Sequence, residues 1–209
     1  MGAGNVVDAG SEALRGLGMP IPDSAIARQA GELVADVEPA FLVNHSIRAF
    51  AWAVELAWHD ELEFDPEILY VSAMLHDIGL VPDYDIGGCF EIDGAIATER
   101  FALDRGQPLA RARAMYDVVA LHMSDTAPGQ ANEVNLLSDS TGTDVTGWRI
   151  GDIRPASVPA IVAAFPRLEF KRDFAAMFVD QATRKPHCTV GTMVNGGKLA
   201  AIAKAPFES

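Results

Sequence analysis

Apolar residues recur along most of this chain at intervals of three and four, and no run alternates with period two. Phe41 to Trp58 contains neither Gly nor Pro and reads as a long helix, with Leu42, His45, Ala49, Trp52 and Leu56 on one face. Ahead of it, Pro22-Asp23-Ser24 offers helix-start chemistry for a helix from Ala25 to Val37. Asp65-Pro66 opens a helix to Ile78 that turns Leu69, Ala73 and His76 inward, with Gly79 placed to stop it. Pro82, Gly87 and Gly88 mark a loop from Val81 to Phe90 at the mouth of a pocket. Asp93 is then the expected cap of a helix from Gly94 to Asp104. Pro108 starts a helix reaching Met123, whose stripe of Met115, Val118 and Val119 ends at His122. Asn132 to Trp148 keeps helical spacing through Val134, Leu137, Thr141, Asp144 and Trp148, against a content of Ser, Thr and Gly that disfavours helix. Pro155–Phe165 and Phe170–Arg184 complete the pattern, the second amphipathic through Phe170, Phe174, Met177, Phe178 and Gln181. The expected fold is an all-α, single-domain helical bundle. It has a loose N-terminal arm over 1–22, a helical domain over 23–185, and a tail over 186–209 packed on or near that domain.

Two polar residues interrupt this picture. His76 and Asp77 stand at the end of the apolar run Tyr70, Val71, Ala73, Met74, Leu75. A buried aspartate costs several kcal/mol, roughly, unless its charge is compensated. A metal ion compensates it and also takes a neutral imidazole beside it. Alone, the dipeptide suits a histidine bonded to its neighbour at a helix end. His45, His122 and Asp144, all on inward faces, change that balance. His45, His76, Asp77 and Asp144 come from three helices, and two imidazoles with two carboxylates suit Zn, Fe or Mn better than Ca or Mg. His59, beside Asp60 and Glu61, is assigned to solvent.

The order His, then His-Asp, then Asp, each on a helix, resembles the HD-domain metal-dependent hydrolases from about Leu42 to Trp148. The passages Phe90-Glu91-Ile92-Asp93-Gly94-Ala95, Gly142-Thr143-Asp144-Val145-Thr146-Gly147 and Arg184-Lys185-Pro186-His187-Cys188-Thr189 resemble the cyanamide hydratase-like branch. Thr143 and Thr146 depart from it, standing where more apolar residues are expected. The resemblance implies one divalent transition metal ion, Zn first and Fe or Mn as alternatives, held by His45, His76, Asp77 and Asp144. It also implies a metal-activated water adding to a small nitrile-type substrate such as cyanamide, giving urea. Asp77 would orient that water or take its proton, and His122 would shuttle the proton or orient the nitrile. Glu91 would fix a ligand or the water from behind.

Charge and composition narrow the partners. A net charge of -13 repels phosphate backbones and anionic lipid, so nucleic acid and membrane surfaces are excluded and a small neutral molecule is favoured. The main alternative, phosphohydrolysis of a nucleotide or phosphomonoester, needs cations at the metal. Arg48, one turn after His45, is the nearest candidate, with Arg149 and Arg154 more distant. A diiron oxygenase would need His122 and Glu91 as further ligands. A non-catalytic helical module with a structural metal is disfavoured, because Cys89 and Cys188 join no ligand cluster. These two cysteines lie far apart and suggest no disulfide framework. With no spanning apolar run and no signal-peptide pattern, the expected compartment is the cytoplasm. Abundant Ala and Gly and an apolar tail are compatible with a homo-oligomer.

Overall fold

A computed structural model describes residues 12–208, and among these every regular element is helical. The elements are α1 (Ala25–Val37), α2 (Ala40–His59), α3 (Pro66–Leu75), α4 (Phe90–Asp104), α5 (Leu109–Ala120), α6 (Asn132–Thr146), α7 (Ser157–Ala164), α8 (Phe170–Arg184), α9 (Thr189–Asn195) and α10 (Leu199–Lys204). Residues 1–11 of the expected arm fall outside the described region. The part that is described is not loose: residues 12–16 are helical, and Leu14 and Met19 are buried in the main core.

Helix α2 is the axis. Its residues Leu42 to Ala57 are almost all buried, and it packs against α3 on one side and α6 on the other. Helix α3 begins as its first residues dictate, with Asp65 accepting from the amides of Glu67 (2.9 Å) and Ile68 (3.1 Å) and Pro66 in the first turn. It ends earlier than Gly79. The ring Nδ1 of His76 donates to the Ala73 carbonyl (2.8 Å), and the chain tightens into a 3-10 turn over Ile78–Leu80. Gly79 serves a different purpose: a Cβ there would overlap the Phe90 carbonyl, so only glycine lets α4 begin against the turn that follows His76-Asp77.

Helix α4 starts at Phe90, four residues before the expected first residue, Gly94. Asp93 lies inside it, buried, and its Oδ2 accepts from the loop amides of Ile86 and Gly88, both at 3.1 Å. The polar helix α6 forms despite its propensities because its hydroxyls bond back into it, Thr143 to the Asp139 carbonyl (2.9 Å) and Thr146 to that of Gly142 (2.8 Å). It stops at Gly147, whose φ of 82° places it in the left-handed region. Trp148, expected on the inward face, therefore lies beyond the helix and is 61% exposed.

Two apolar clusters result. The larger joins α1 to α7. The smaller brings Phe41, Leu42, Leu80 and Phe90 together with Phe170, Phe174 and Phe178 of α8 and with Val190 and Ile202 of the tail. The tail thus packs on its own chain.

The cysteines also meet. Cys89, just before α4, and Cys188, just before α9, form a disulfide with Cα atoms 5.4 Å apart across 99 residues of sequence. Sequence separation concealed a contact that only the packing of α8 and α9 on α4 creates. A loop of this length makes the bond valuable, since it removes much conformational freedom from the unfolded chain. Replacing both cysteines by alanine is expected to lower unfolding free energy by about 2–5 kcal/mol. Urea titration of oxidised wild type and double variant measures it.

Candidate metal centre

His45 projects from the first turns of α2, His76 and Asp77 from the end of α3, and His122 from the turn just past α5. All four are buried and line one cavity of about 420 Å³. His76 Nε2 lies 3.2 Å from His45 Nε2 and 3.2 Å from Asp77 Oδ2, and His45 Nε2 lies 3.5 Å from that same oxygen. His122 Nε2 stands 3.7 Å from Asp77 Oδ1.

The far sides of the rings decide what these atoms offer. His76 Nδ1 and His122 Nδ1 face backbone carbonyls, those of Ala73 (2.8 Å) and Val119 (2.6 Å). A carbonyl only accepts, so each Nδ1 carries the proton. His45 Nδ1 faces the Asp144 carboxylate at 2.7 Å and likewise donates. In the neutral rings, the Nε2 lone pairs of His45 and His76 therefore face each other, and together with His122 Nε2 they face the Asp77 carboxylate. Asp77 Oδ2 is buried and receives no hydrogen bond. Such a cluster of acceptors with no donor requires a cation, and imidazole nitrogens with one carboxylate suit a divalent transition metal.

The electrostatics agree. Burial alone would raise Asp77, but the surrounding histidines, His76 foremost, hold it at about 2. Burial lowers His45, against the pull of Asp144, and lowers His122 to about 4, assisted by the neighbouring His76 charge. Burial would also lower His76, yet Asp77 beside it outweighs that and the ring is raised. A proton on His76 Nε2 is thus the natural competitor of a metal ion for the same atom.

Asp144 does not join His45, His76 and Asp77 around the cavity. It sits behind His45 in the core. Its Oδ1 accepts from Arg48 Nε (2.8 Å), Trp52 Nε1 (2.9 Å) and Arg167 Nη1 (3.1 Å), and its Oδ2 from Arg48 Nη2 (2.8 Å) and His45 Nδ1. Burial pushes this carboxyl up, but Arg48 first and His45 next hold it well below the usual carboxylate range. Arg48 is wholly buried, and its Nη1 donates to the Phe165 (3.0 Å) and Pro166 (3.3 Å) carbonyls, so its guanidinium faces away from the cavity. Arg149 binds Asp60, Asp139 and Asp152, and Arg154 binds Glu55, both outside the cavity. Glu91 is buried in the first turn of α4 and does not line the cavity, although its neighbour Phe90 packs on the His122 ring at 5.7 Å. His59 is half exposed.

Sequence reasoning passed over Glu38. It lies between α1 and α2 and is only 7% exposed, with neither carboxylate oxygen hydrogen-bonded. Burial, then the charge of Asp77, raises its carboxyl well above the ordinary glutamate value. A carboxyl raised on folding binds protons more tightly in the folded state, so it lowers stability as pH climbs above the unfolded value. In metal-free protein, Glu38→Gln is expected to leave the thermal midpoint unchanged near pH 4 and to raise it near pH 8, by roughly 2–4 °C for each kcal/mol relieved. Thermal scans at both pH values test this.

Residues 42–139 match the HD domain family. Two proteins of Saccharomyces cerevisiae, cyanamide hydratase DDI2 and cyanamide hydratase DDI3, are each 30% identical to this chain over 179 residues, covering 80% of it and 77% of the relative. His45, His76, Asp77 and His122 fall inside the family match, and Asp144 lies just beyond it. With a His-Asp acceptor cluster at the heart of an all-α bundle, the chain belongs to the HD-domain family of metal-dependent hydrolases and resembles its cyanamide hydratase-like branch.

Proposed function

We propose that the protein hydrates a cyanamide-type C≡N group to the corresponding urea, with His45, His76 and Asp77 holding a divalent metal ion, Zn first. The convergence of three donor-poor imidazole nitrogens on the Asp77 carboxylate carries this reading. A metal ion bound there supplies Lewis acidity that makes water nucleophilic near neutral pH. Asp77, ionised throughout the working range, orients the attacking water through its carboxylate. His122 is neutral with a free Nε2 facing Asp77 Oδ1, which suits it to accept the water's proton and return it to the nitrile nitrogen. Its ring is held for that task by the Val119 carbonyl and by Phe90. Asp144 orients His45 and fixes its tautomer, a carboxylate–histidine pairing that raises ligand basicity.

A neutral substrate is favoured by the scarcity of cations. Among the described residues lining the cavity, Lys198 is the one lysine or arginine, and it is exposed. Arg48, on which a phosphohydrolase would depend, is enclosed in the core with Asp144. The test is elemental analysis followed by parallel assays with cyanamide and p-nitrophenyl phosphate. Urea without phosphate release is expected. Phosphate without urea would replace this reading with the phosphohydrolase.

A further inference from the structure

The cavity is far larger than cyanamide needs. Cyanamide has three non-hydrogen atoms and displaces about two waters, roughly 60 Å³ at about 30 Å³ per water. The cavity measures about 420 Å³, more than twice the roughly 150 Å³ that accommodates benzene in an engineered apolar hole. Its lining is also divided. The histidines and Asp77, with polar residues at 124–126, 138, 139 and 141, make up the polar part of the lining, and an apolar wall begins directly against the His45 ring. The Phe174 ring lies 5.4 Å from that of His45, and Phe178 lies 4.4 Å from Phe174. Val145, Val194, Leu199 and Ile202 extend this wall outward. Trp148 stands exposed at the rim, its indole nitrogen held by Asp139 at 3.2 Å.

We infer that the substrate is a substituted cyanamide, R–NH–C≡N, whose apolar R group, aromatic or branched aliphatic, fills the space along Phe174, Phe178, Val194 and Leu199. The inference rests on the hydratase reading and adds the body of the substrate to it. The reaction balances without any further reactant. The water oxygen bonds to the nitrile carbon, both water protons end on the nitrile nitrogen, and R–NH–C(=O)–NH₂ forms with no leaving group. R takes no part in the chemistry. It displaces water from apolar wall, which a three-atom substrate leaves wet, and discrimination by a single methylene in such a pocket already reaches about 10-fold or more.

The experiment compares kcat/KM for cyanamide and benzylcyanamide on the oxidised, Zn-loaded full chain, with each urea quantified. Benzylcyanamide is expected to be at least 10-fold better. Val194→Trp, which fills the outer cavity, is expected to lower the benzylcyanamide-to-cyanamide ratio at least 10-fold. Leu199→Trp serves as the second variant, and a thermal midpoint near that of wild type qualifies either one. Hydration of cyanamide with benzylcyanamide slower, or a ratio unmoved by both tryptophans, overturns the inference and leaves the hydratase reading standing. No hydration of either compound overturns both.

Discussion

Asp77→Asn is expected to contain no stoichiometric metal and to retain less than about a thousandth of wild-type kcat/KM on the hydrated substrate. The change is isosteric, so packing is preserved, and it removes the one negative charge facing the three Nε2 atoms. It also removes the group that outweighs burial in raising His76, so both the metal and its competing proton lose their anchor. Lewis acidity contributes several kcal/mol at the transition state, and each 1.36 kcal/mol is tenfold in rate, which sets the thousandfold scale. Elemental analysis and initial rates on the same preparation measure both effects. A variant with full metal content and a rate within tenfold of wild type would remove Asp77 from the chemistry altogether.

Local physics made much of this molecule readable from its sequence. Ala25–Val37 and Phe170–Arg184 have the bounds their spacing predicts, the first with Ser24 capping it within one turn. Helix α2 was equally plain, being free of Gly and Pro over its whole apolar length. Adjacent placement of His76 and Asp77 at the end of an apolar run signalled a buried polar pair, and His45 and His122 followed from their positions on inward stripes. What stayed hidden depends on contacts between distant segments. Helical period turns Arg48 and Asp144 inward but does not choose between cavity and core; that choice was made by Trp52, Arg167 and the Phe165 carbonyl. Glu38 follows no period because it lies between helices. The disulfide needed α8 and the tail to fold back over α4. The tail supplies much of the cavity wall, so its apolar residues, compatible on sequence with an oligomer contact, line the site of their own chain.

The Asp144 cluster also makes the site dependent on the core. One carboxylate receives five hydrogen bonds from four side chains on α2 and on the segment before α8, and one of those donors is a proposed metal ligand. Asp144→Asn is therefore expected to damage stability and metal binding together. The amide keeps the shape but carries no charge and turns a donor toward groups that are donors themselves, leaving Arg48 and Arg167 buried and uncompensated. Breaking a buried ion pair in this way costs about 3–5 kcal/mol. Loss of the charged acceptor on His45 Nδ1 should weaken metal binding by about 10–100-fold. Urea unfolding and competitive metal titration at low temperature read the two effects. Trp52→Phe separates them: it removes one neutral donor from Asp144 for about 1 kcal/mol, with His45 still bonded, so metal affinity should hold near wild type. Equal loss of metal affinity in both variants would mean that general loosening of the core, and not the bond from His45 to Asp144, governs the ligand.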